Sequence, residues 1–428
     1  MNRFKRFIYQ YFIYLPLIFV AHLIALFNRN VRQAILGRYR AARDLKNFST
    51  GKKPVVYFHA ASLGEFEHIR PLIFYLGKTY QIVVTFFSPS GYNHAKKQFD
   101  DEIHYYLPFD FYGLWFKILK RMQPKFLVIS KHDIWANQIL AANRLQIPTF
   151  LVNASLSAKS SRLNVLYRFF YAPIYRQIDM IFTISDEDQQ RFVTYFKLQN
   201  VRVVGDTKFD QVIIRKEQAQ TKNYIPKEWV QNFLVIALGS IWPEDYAVLS
   251  APLQQLMQEF KELKILFVPH QPHEAFLQRI ETDFGKFGTR RFTDQTEFAK
   301  ERSLVVNVVG ILADLYKYAQ IAYVGGSFKQ GIHNVMEPGT YGIPVIYGPK
   351  HKNSYEATQL VREGASFVVQ DESEAFKILK KLITDEAFRR TSGKKVQRFV
   401  ERHTGATQRI LQALPLNERP DNFGKESR

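Results

Sequence analysis

Two rhythms of apolar and polar residues share most of the chain. Short apolar runs rich in β-branched and aromatic residues recur at 54–59, 81–86, 126–129, 148–153, 180–184 and 201–204. Between them apolar residues return at helical spacing, as with Ile69, Leu72, Ile73 and Leu76 after the first run. The first rhythm predicts strands and the second helices. Their alternation predicts βαβ units and a mostly parallel sheet. The pattern stops at 211–229, where the chain turns polar and contains Pro226. It resumes with runs at 233–238, 264–268, 303–306, 321–324, 344–347 and 367–369, and the remainder reads as helical. The expected organisation is two α/β domains, 29–210 and 229–415, joined by a linker at 211–228 and followed by a polar tail at 416–428. At 428 residues the chain exceeds the usual single-core size, in keeping with that division.

The first 28 residues follow neither rhythm. Residues 8–27, IYQYFIYLPLIFVAHLIALF, are apolar over about the twenty residues a bilayer span requires. Only Gln10, Pro16 and His22 interrupt them. Arg3, Lys5 and Arg6 precede the run; Arg29, Arg32, Arg38, Arg40, Arg43 and Lys46 follow it, opposed only by Asp44. No small-residue cleavage site ends the run, which argues against a removable signal peptide. A spanning helix, a helix lying in the interface and a buried soluble helix remain open. The basic flanks favour a segment, 1–28, held on the cytoplasmic leaflet of a membrane, where anionic lipids attract Lys and Arg.

Composition narrows the chemistry. Cysteine is absent, which excludes disulfides and thiolate metal sites. No internal repeat is present, which excludes a solenoid. With 59 Lys and Arg against 39 Asp and Glu, the net charge of +20 suits an anionic partner: nucleic acid, acidic headgroups or a phosphorylated substrate. The basic residues are spread along the chain and no nucleic-acid motif occurs, so no nucleic-acid partner is expected.

The segment 322–349, AYVGGSFKQGIHNVMEPGTYGIPVIYGP, holds the densest candidate chemistry. A short strand leads to Gly325 and Gly326, where a backbone must turn sharply or approach a ligand. Gly331, His333 and Asn334 follow, and Val335, Met336 and Glu337 are expected to begin a helix. Strand, glycine turn and helix N-terminus together suit phosphate, with free N–H groups and the helix dipole aimed at the anion. Glu337 could accept hydrogen bonds from ribose hydroxyls. The plainer reading is an ordinary βα turn whose glycines serve only geometry.

Ligands of parallel sheets collect at the carboxyl ends of the strands. Glu65 follows the first strand in the turn Ser62-Leu63-Gly64-Glu65, where it is either a general base or a solvated residue favouring a helix start. Lys131, His132, Asp133, Trp135 and Asn137 follow another strand, as a second polar site or as a surface loop with a packed Trp. In the second half, Ser240 and the pair His270 and His273 also follow strands. No acidic or Cys ligand stands at a recognised spacing from those histidines, so they suit a phosphate or base contact, or a plain loop, better than a metal.

These segments together resemble a known family. HAASLGEFEHIRPLI, VNASLSAKS, VGDTKFD, VPHQPHEAF and the 322–349 unit resemble, in the same order, motifs of the 3-deoxy-D-manno-octulosonic acid (Kdo) transferases, glycosyltransferases of GT-B type. The resemblance covers about residues 55–350 and implies two Rossmann-like domains facing across a cleft behind an N-terminal membrane-associated helix. It implies transfer of Kdo from CMP-Kdo to a phosphorylated lipid A precursor, inverting and without metal or other cofactor. It makes Glu65 the catalytic base. Ser240, His270, Gly325, Gly326, Ser327, His333, Asn334 and Glu337 become donor-binding residues, and Ser62, Gly64, Lys131 and Asp133 acceptor-side residues. Lys131, Asp133, Ser155 and His270 depart from the family pattern, which marks a divergent branch. The alternatives to this reading are another GT-B enzyme using a UDP-sugar, whether transferase or epimerase, and a non-catalytic basic binder of membranes or nucleic acid.

Overall fold

The computed structural model describes residues 3–98, 102–294 and 301–416. Its residues divide into two compact units.

The first unit runs to Gln211 and takes in the chain again from Thr404. Its sheet holds seven parallel strands: β1 (Val55–Ala60), β2 (Gln81–Phe86), β3 (Ile103–Tyr106), β4 (Leu127–Ser130), β5 (Thr149–Ala154), β6 (Met180–Thr183) and β7 (Val201–Val203). They lie in the order β3-β2-β1-β4-β5-β6-β7. β1, β4 and β5 are buried along their whole length, as strands covered on both faces must be. Helix Leu63–Leu76 lays Phe66, Ile69, Leu72 and Leu76 on one face of the sheet; Trp115, Ile118, Leu119 and Ile139 cover the other.

The second unit spans Val212–His403. Its strands are β8 (Leu234–Ile241), β9 (Leu263–Pro269), β10 (Thr289–Arg291), β11 (Ser303–Val305), β12 (Ile321–Val324), β13 (Val345–Tyr347) and β14 (Ser366–Val368). They too are all parallel, in the order β10-β11-β9-β8-β12-β13-β14. Each sheet therefore reverses its strand order once, between β1 and β4 and between β8 and β12. Those reversals are where an open parallel sheet opens a crevice at its carboxyl edge.

Two expectations about organisation need correction. The segment expected as a linker at 211–228 is helical over much of its length, within Lys208–Gln220 and from Lys227. Residues 404–415, expected with the C-terminal domain, belong to the first unit. There the Asp210 carboxylate accepts from Gly405 N and Thr407 N, both at 2.6 Å, and Ile410, Leu411 and Leu414 enter the first core. The polar tail lies, from residue 417, outside the described residues.

The N-terminal apolar segment is a 24-residue helix, Phe4–Phe27, long and apolar enough to cross a membrane. Its turn Tyr9–Tyr14 is π-helical, and a second helix, Arg29–Lys46, starts at Asn28, whose side chain accepts from Asn30 N and Val31 N. Arg32 folds back to donate to the carbonyls of Ala25 and Leu26 at 3.0 Å each. Phe12, Leu17, Phe19, Leu23 and Phe27 are exposed, whereas Tyr9, Tyr14 and Ala25 are buried.

Candidate active site

In the first unit, the reversal between β1 and β4 gathers the acidic candidates. Ser62 caps helix Leu63–Leu76, its hydroxyl accepting from Glu65 N at 3.4 Å. The Glu65 carboxylate turns back to accept from Ala61 N at 2.7 Å. Both bonds support the helix start, as the plainer reading expected, but Glu65 is not the solvated residue of that reading. Burial pushes the Glu65 carboxyl above its ordinary range; the Ala61 N–H opposes this, and the Asp133 charge adds to it. Gly64 is exposed at the same turn.

Asp133 sits beyond the end of β4. It accepts from Trp135 Nε1 at 3.2 Å and pairs with His59 Nε2 at 2.8 Å. Burial alone would raise this carboxyl, but His59 and Trp135 together hold it below its ordinary range. His59, the last-but-one residue of β1, is fully buried, and its Nδ1 lies 3.0 Å from Thr85 Oγ1. The two carboxylates thus differ in character: partners hold Asp133 below its ordinary range, whereas burial holds Glu65 above its own. Lys131 adopts φ 58°, a conformation rare for a residue with a side chain, and its charge also acts on Glu65. Sequence reasoning quoted His59 within the resemblance but gave it no role; burial at the end of β1 is what distinguishes it.

In the second unit the reversal falls between β8 and β12. Ser240 has φ 52° at a register shift in β8, between Gly239 and Ile241. Such a bulge re-aims side chains at a strand end. Gly325 passes so close to this point that a Cβ would overlap the Ser240 carbonyl, and Gly326 has φ 96°. The carboxylate of buried Asp245 accepts from Trp242 N at 2.9 Å, Gly326 N at 2.8 Å and Tyr323 Oη at 2.8 Å, fixing the two strand ends together. Asp245 is a supporting residue in the first turn of the helix Pro243–Glu259.

The loop that follows departs from the expected cradle. Lys329 N, Gln330 N and Gly331 N all donate to Gly326 O, Ile332 N donates to Asn353 Oδ1, and His333 N to Gly325 O. Met336 N donates to the Asn334 side chain, and the helix there is a single turn, Met336–Gly339, which includes Pro338. These six N–H groups are thus turned into the loop itself, and so short a helix carries little dipole. Ser327 is fully buried and accepts from Gly348 N at 2.6 Å, tying this loop to the end of β13. Side chains supply the polar surface instead. Trp242, His270 and His333 form a continuous stack, with ring centroids 4.6 and 4.5 Å apart, and Trp242 Nε1 donates to His333 Nε2 at 3.2 Å. Burial, with His270 beside it, brings His333 down to about 4. Lys329 lies over the Trp242 ring at 4.1 Å. Glu337 pairs with Arg215 at 2.9 Å and accepts from Asn334 Nδ2 at 3.3 Å. Arg215 comes from the segment expected to be a linker. His273 stands just before the next helix without a side-chain capping bond and meets Gln271 instead, apart from the stack. Among the described residues no group of three or more His, Asp or Glu could hold a metal ion.

Two doubly covered parallel sheets, each with polar side chains at its order reversal, define a GT-B-type protein behind an apolar N-terminal helix. A family model described as 3-deoxy-D-manno-octulosonic-acid transferase matches residues 33–211. The 3-deoxy-D-manno-octulosonic acid transferase of Aquifex aeolicus is 30% identical over 82% of this chain and 91% of its own. That of Haemophilus influenzae is 27% identical over 85% of this chain and 87% of its own. Among solved structures, a UDP-GlcNAc 2-epimerase from Neisseria meningitidis superposes with a TM-score of 0.57 at 14% identity, over 84% of this chain and 98% of its own; it shows the fold alone. The chain belongs to the Kdo transferase family, and it is a glycosyltransferase.

Proposed function

We propose that this enzyme transfers Kdo from CMP-Kdo to a phosphorylated lipid A precursor at the cytoplasmic face of the inner membrane. An acceptor hydroxyl attacks the anomeric carbon of Kdo, Glu65 takes the proton, and the bond to CMP breaks with inversion and without a metal. CMP is held in the second unit by His270, His333, Asn334 and Glu337, with Ser240, Gly325, Gly326 and Ser327 shaping the backbone beneath them. Ser62, Gly64, Lys131 and Asp133 form the acceptor side. The observation that carries this reading is the pairing at one sheet reversal of a buried carboxyl held above its ordinary range, Glu65, with an ionised one, Asp133, in a chain of this family. The test is mass spectrometry of a lipid A precursor incubated with CMP-Kdo and the purified protein. The expected product carries one or more added Kdo masses. An unchanged acceptor, or transfer only from a UDP-sugar, overturns the proposal.

A further inference from the structure

The apolar N-terminal helix does more than lie against the first unit. Its π-helical turn, Tyr9–Tyr14, aims three polar groups inward. Tyr9 Oη donates to Asp110 Oδ2 at 2.9 Å, Asp110 N donates to Tyr14 Oη at 2.7 Å, and Gln10 Oε1 accepts from Asn137 Nδ2 at 3.0 Å. Asp110 is fully buried and also accepts from Asn137 N and Gln138 N at 3.1 and 3.0 Å. It thereby caps the helix Ala136–Arg144, which follows the Asp133 loop directly.

Two routes lead from this turn to Asp133. The direct one is aromatic. The Tyr14 ring meets Trp135 edge to face, with centroids 6.0 Å apart, and Trp135 Nε1 holds the Asp133 carboxylate. Phe87 stacks on Trp135 at 5.5 Å, and Arg38 lies over Phe87. The second route is a buried polar chain. Gln138 Nε2 donates to Tyr57 Oη at 2.8 Å, Tyr57 Oη lies 2.8 Å from Thr85 Oγ1, and Thr85 Oγ1 lies 3.0 Å from His59 Nδ1, whose Nε2 meets Asp133. Buried groups linked by several hydrogen bonds restrict where a loop can sit, although Gln10 Nε2, Asn137 Oδ1 and Gln138 Oε1 are left without partners in this network. Interruptions to a membrane-seeking run are costly unless they meet partners. Tyr9, Gln10 and Tyr14 each meet one here.

We infer that the Tyr9–Tyr14 turn is a positioning element of the acceptor-side site, holding the Trp135–Asp133 loop in place, and is not only part of a tether. The inference rests on the transferase reading above. It gives Tyr14 a role that its outward neighbours on the same helix lack.

The test uses full-length protein in detergent micelles, so that membrane attachment does not limit turnover, with CMP-Kdo and a lipid A precursor. Tyr14→Ala removes the ring from Trp135, Tyr14→Phe keeps the ring, and Phe19→Ala alters an exposed residue of the same helix. Tyr14→Ala is expected to lower kcat by about 10-fold or more, since small displacements of catalytic surroundings are costly. Its KM for CMP-Kdo should stay within about 2-fold, because the donor residues lie in the other unit. Tyr14→Phe should restore most of the kcat, and Phe19→Ala should leave it unchanged. Unfolding midpoints confirm that each variant folds; if Tyr14→Ala does not, Tyr14→Leu keeps the volume and carries the same expectation. Wild-type kcat in the folded ring-less variant, or an equal loss in Phe19→Ala, overturns the inference. No transfer by the wild-type chain would instead overturn the transferase reading itself.

Discussion

Glu65 and Asp133 lie at the same sheet reversal, yet their surroundings push them in opposite directions. Asp133 has two donors fixed on its carboxylate, so protonating it means giving up both. Glu65 has one backbone donor and a desolvated setting. A base must accept a proton during the reaction, and a raised carboxyl does so more readily. Glu65→Gln is therefore expected to lower turnover by about 10²–10⁴-fold with nearly unchanged CMP affinity. Steady-state kinetics beside calorimetric CMP titration checks this; near-normal turnover in Glu65→Gln with an inactive Asp133→Asn would move the base to Asp133. The pH profile gives a second check. A base works deprotonated, so activity falls as pH drops through the Glu65 pKa, which lies above the ordinary glutamate range. Asp133→Asn removes a neighbouring negative charge, stabilises ionised Glu65 and should shift that acidic limb to lower pH in kcat/KM. An unshifted limb would show that the limb belongs to another group.

Elements fix what single residues present. The alternating apolar runs made both parallel sheets legible, because a strand covered on both faces needs a continuous apolar stretch. The two strands missing from the sequence reading, β3 and β10, are both sheet edges. β10 is the three residues Thr289–Arg291, two of them arginines, and carries no apolar run to detect. The glycine turn after β12 was legible as a close approach, but the engagement of its N–H groups was not. That depends on Gly326 O and Asn353, partners that a local pattern does not reveal. Arg215 was hidden for a similar reason: a polar helix reads as a linker until its partner Glu337 is known. Asp245 carries the donor-side geometry. Asp245→Ala leaves Trp242 N, Gly326 N and Tyr323 Oη without their acceptor, at about 1–3 kcal/mol for each group left unpaired. A lowered unfolding midpoint together with weaker CMP binding is expected, by thermal denaturation and calorimetry. Glu337→Ala, which removes one carboxylate partner of the partly exposed Arg215 rather than the shared acceptor of three donors, should weaken CMP binding with a smaller effect on the midpoint. Unchanged CMP affinity would take Glu337 out of the donor site.

At the scale of the whole molecule, the first helix shows two faces that its apolar run does not distinguish. Gln10 and His22 read as defects in an apolar run; the structure spends them on Asn137 and on Tyr39. The opposite side leaves Phe12, Leu17, Phe19 and Leu23 open, and each contributes about 1.5–3 kcal/mol when fully removed from water. The net charge of +20 adds attraction to anionic lipid, screened over about 8 Å at physiological salt. The two contributions separate by salt. Full-length protein should sediment with vesicles even at high salt. Replacing Phe12, Leu17, Phe19 and Leu23 together by Ser should release it from vesicles at high salt, while leaving partial binding to anionic vesicles at low salt. Deleting residues 1–28 should also release the protein, but with a further effect that a simple tether would not have. It removes Tyr9, Gln10 and Tyr14 from Asp110 and Asn137 and strips the acceptors from Arg32, so the unfolding midpoint should fall by several degrees. Vesicle sedimentation and thermal unfolding of the three proteins decide it. A truncated chain that melts where the intact one does would mean that the helix contributes nothing to the first unit's stability, and one that still sediments at high salt would place the membrane contact elsewhere.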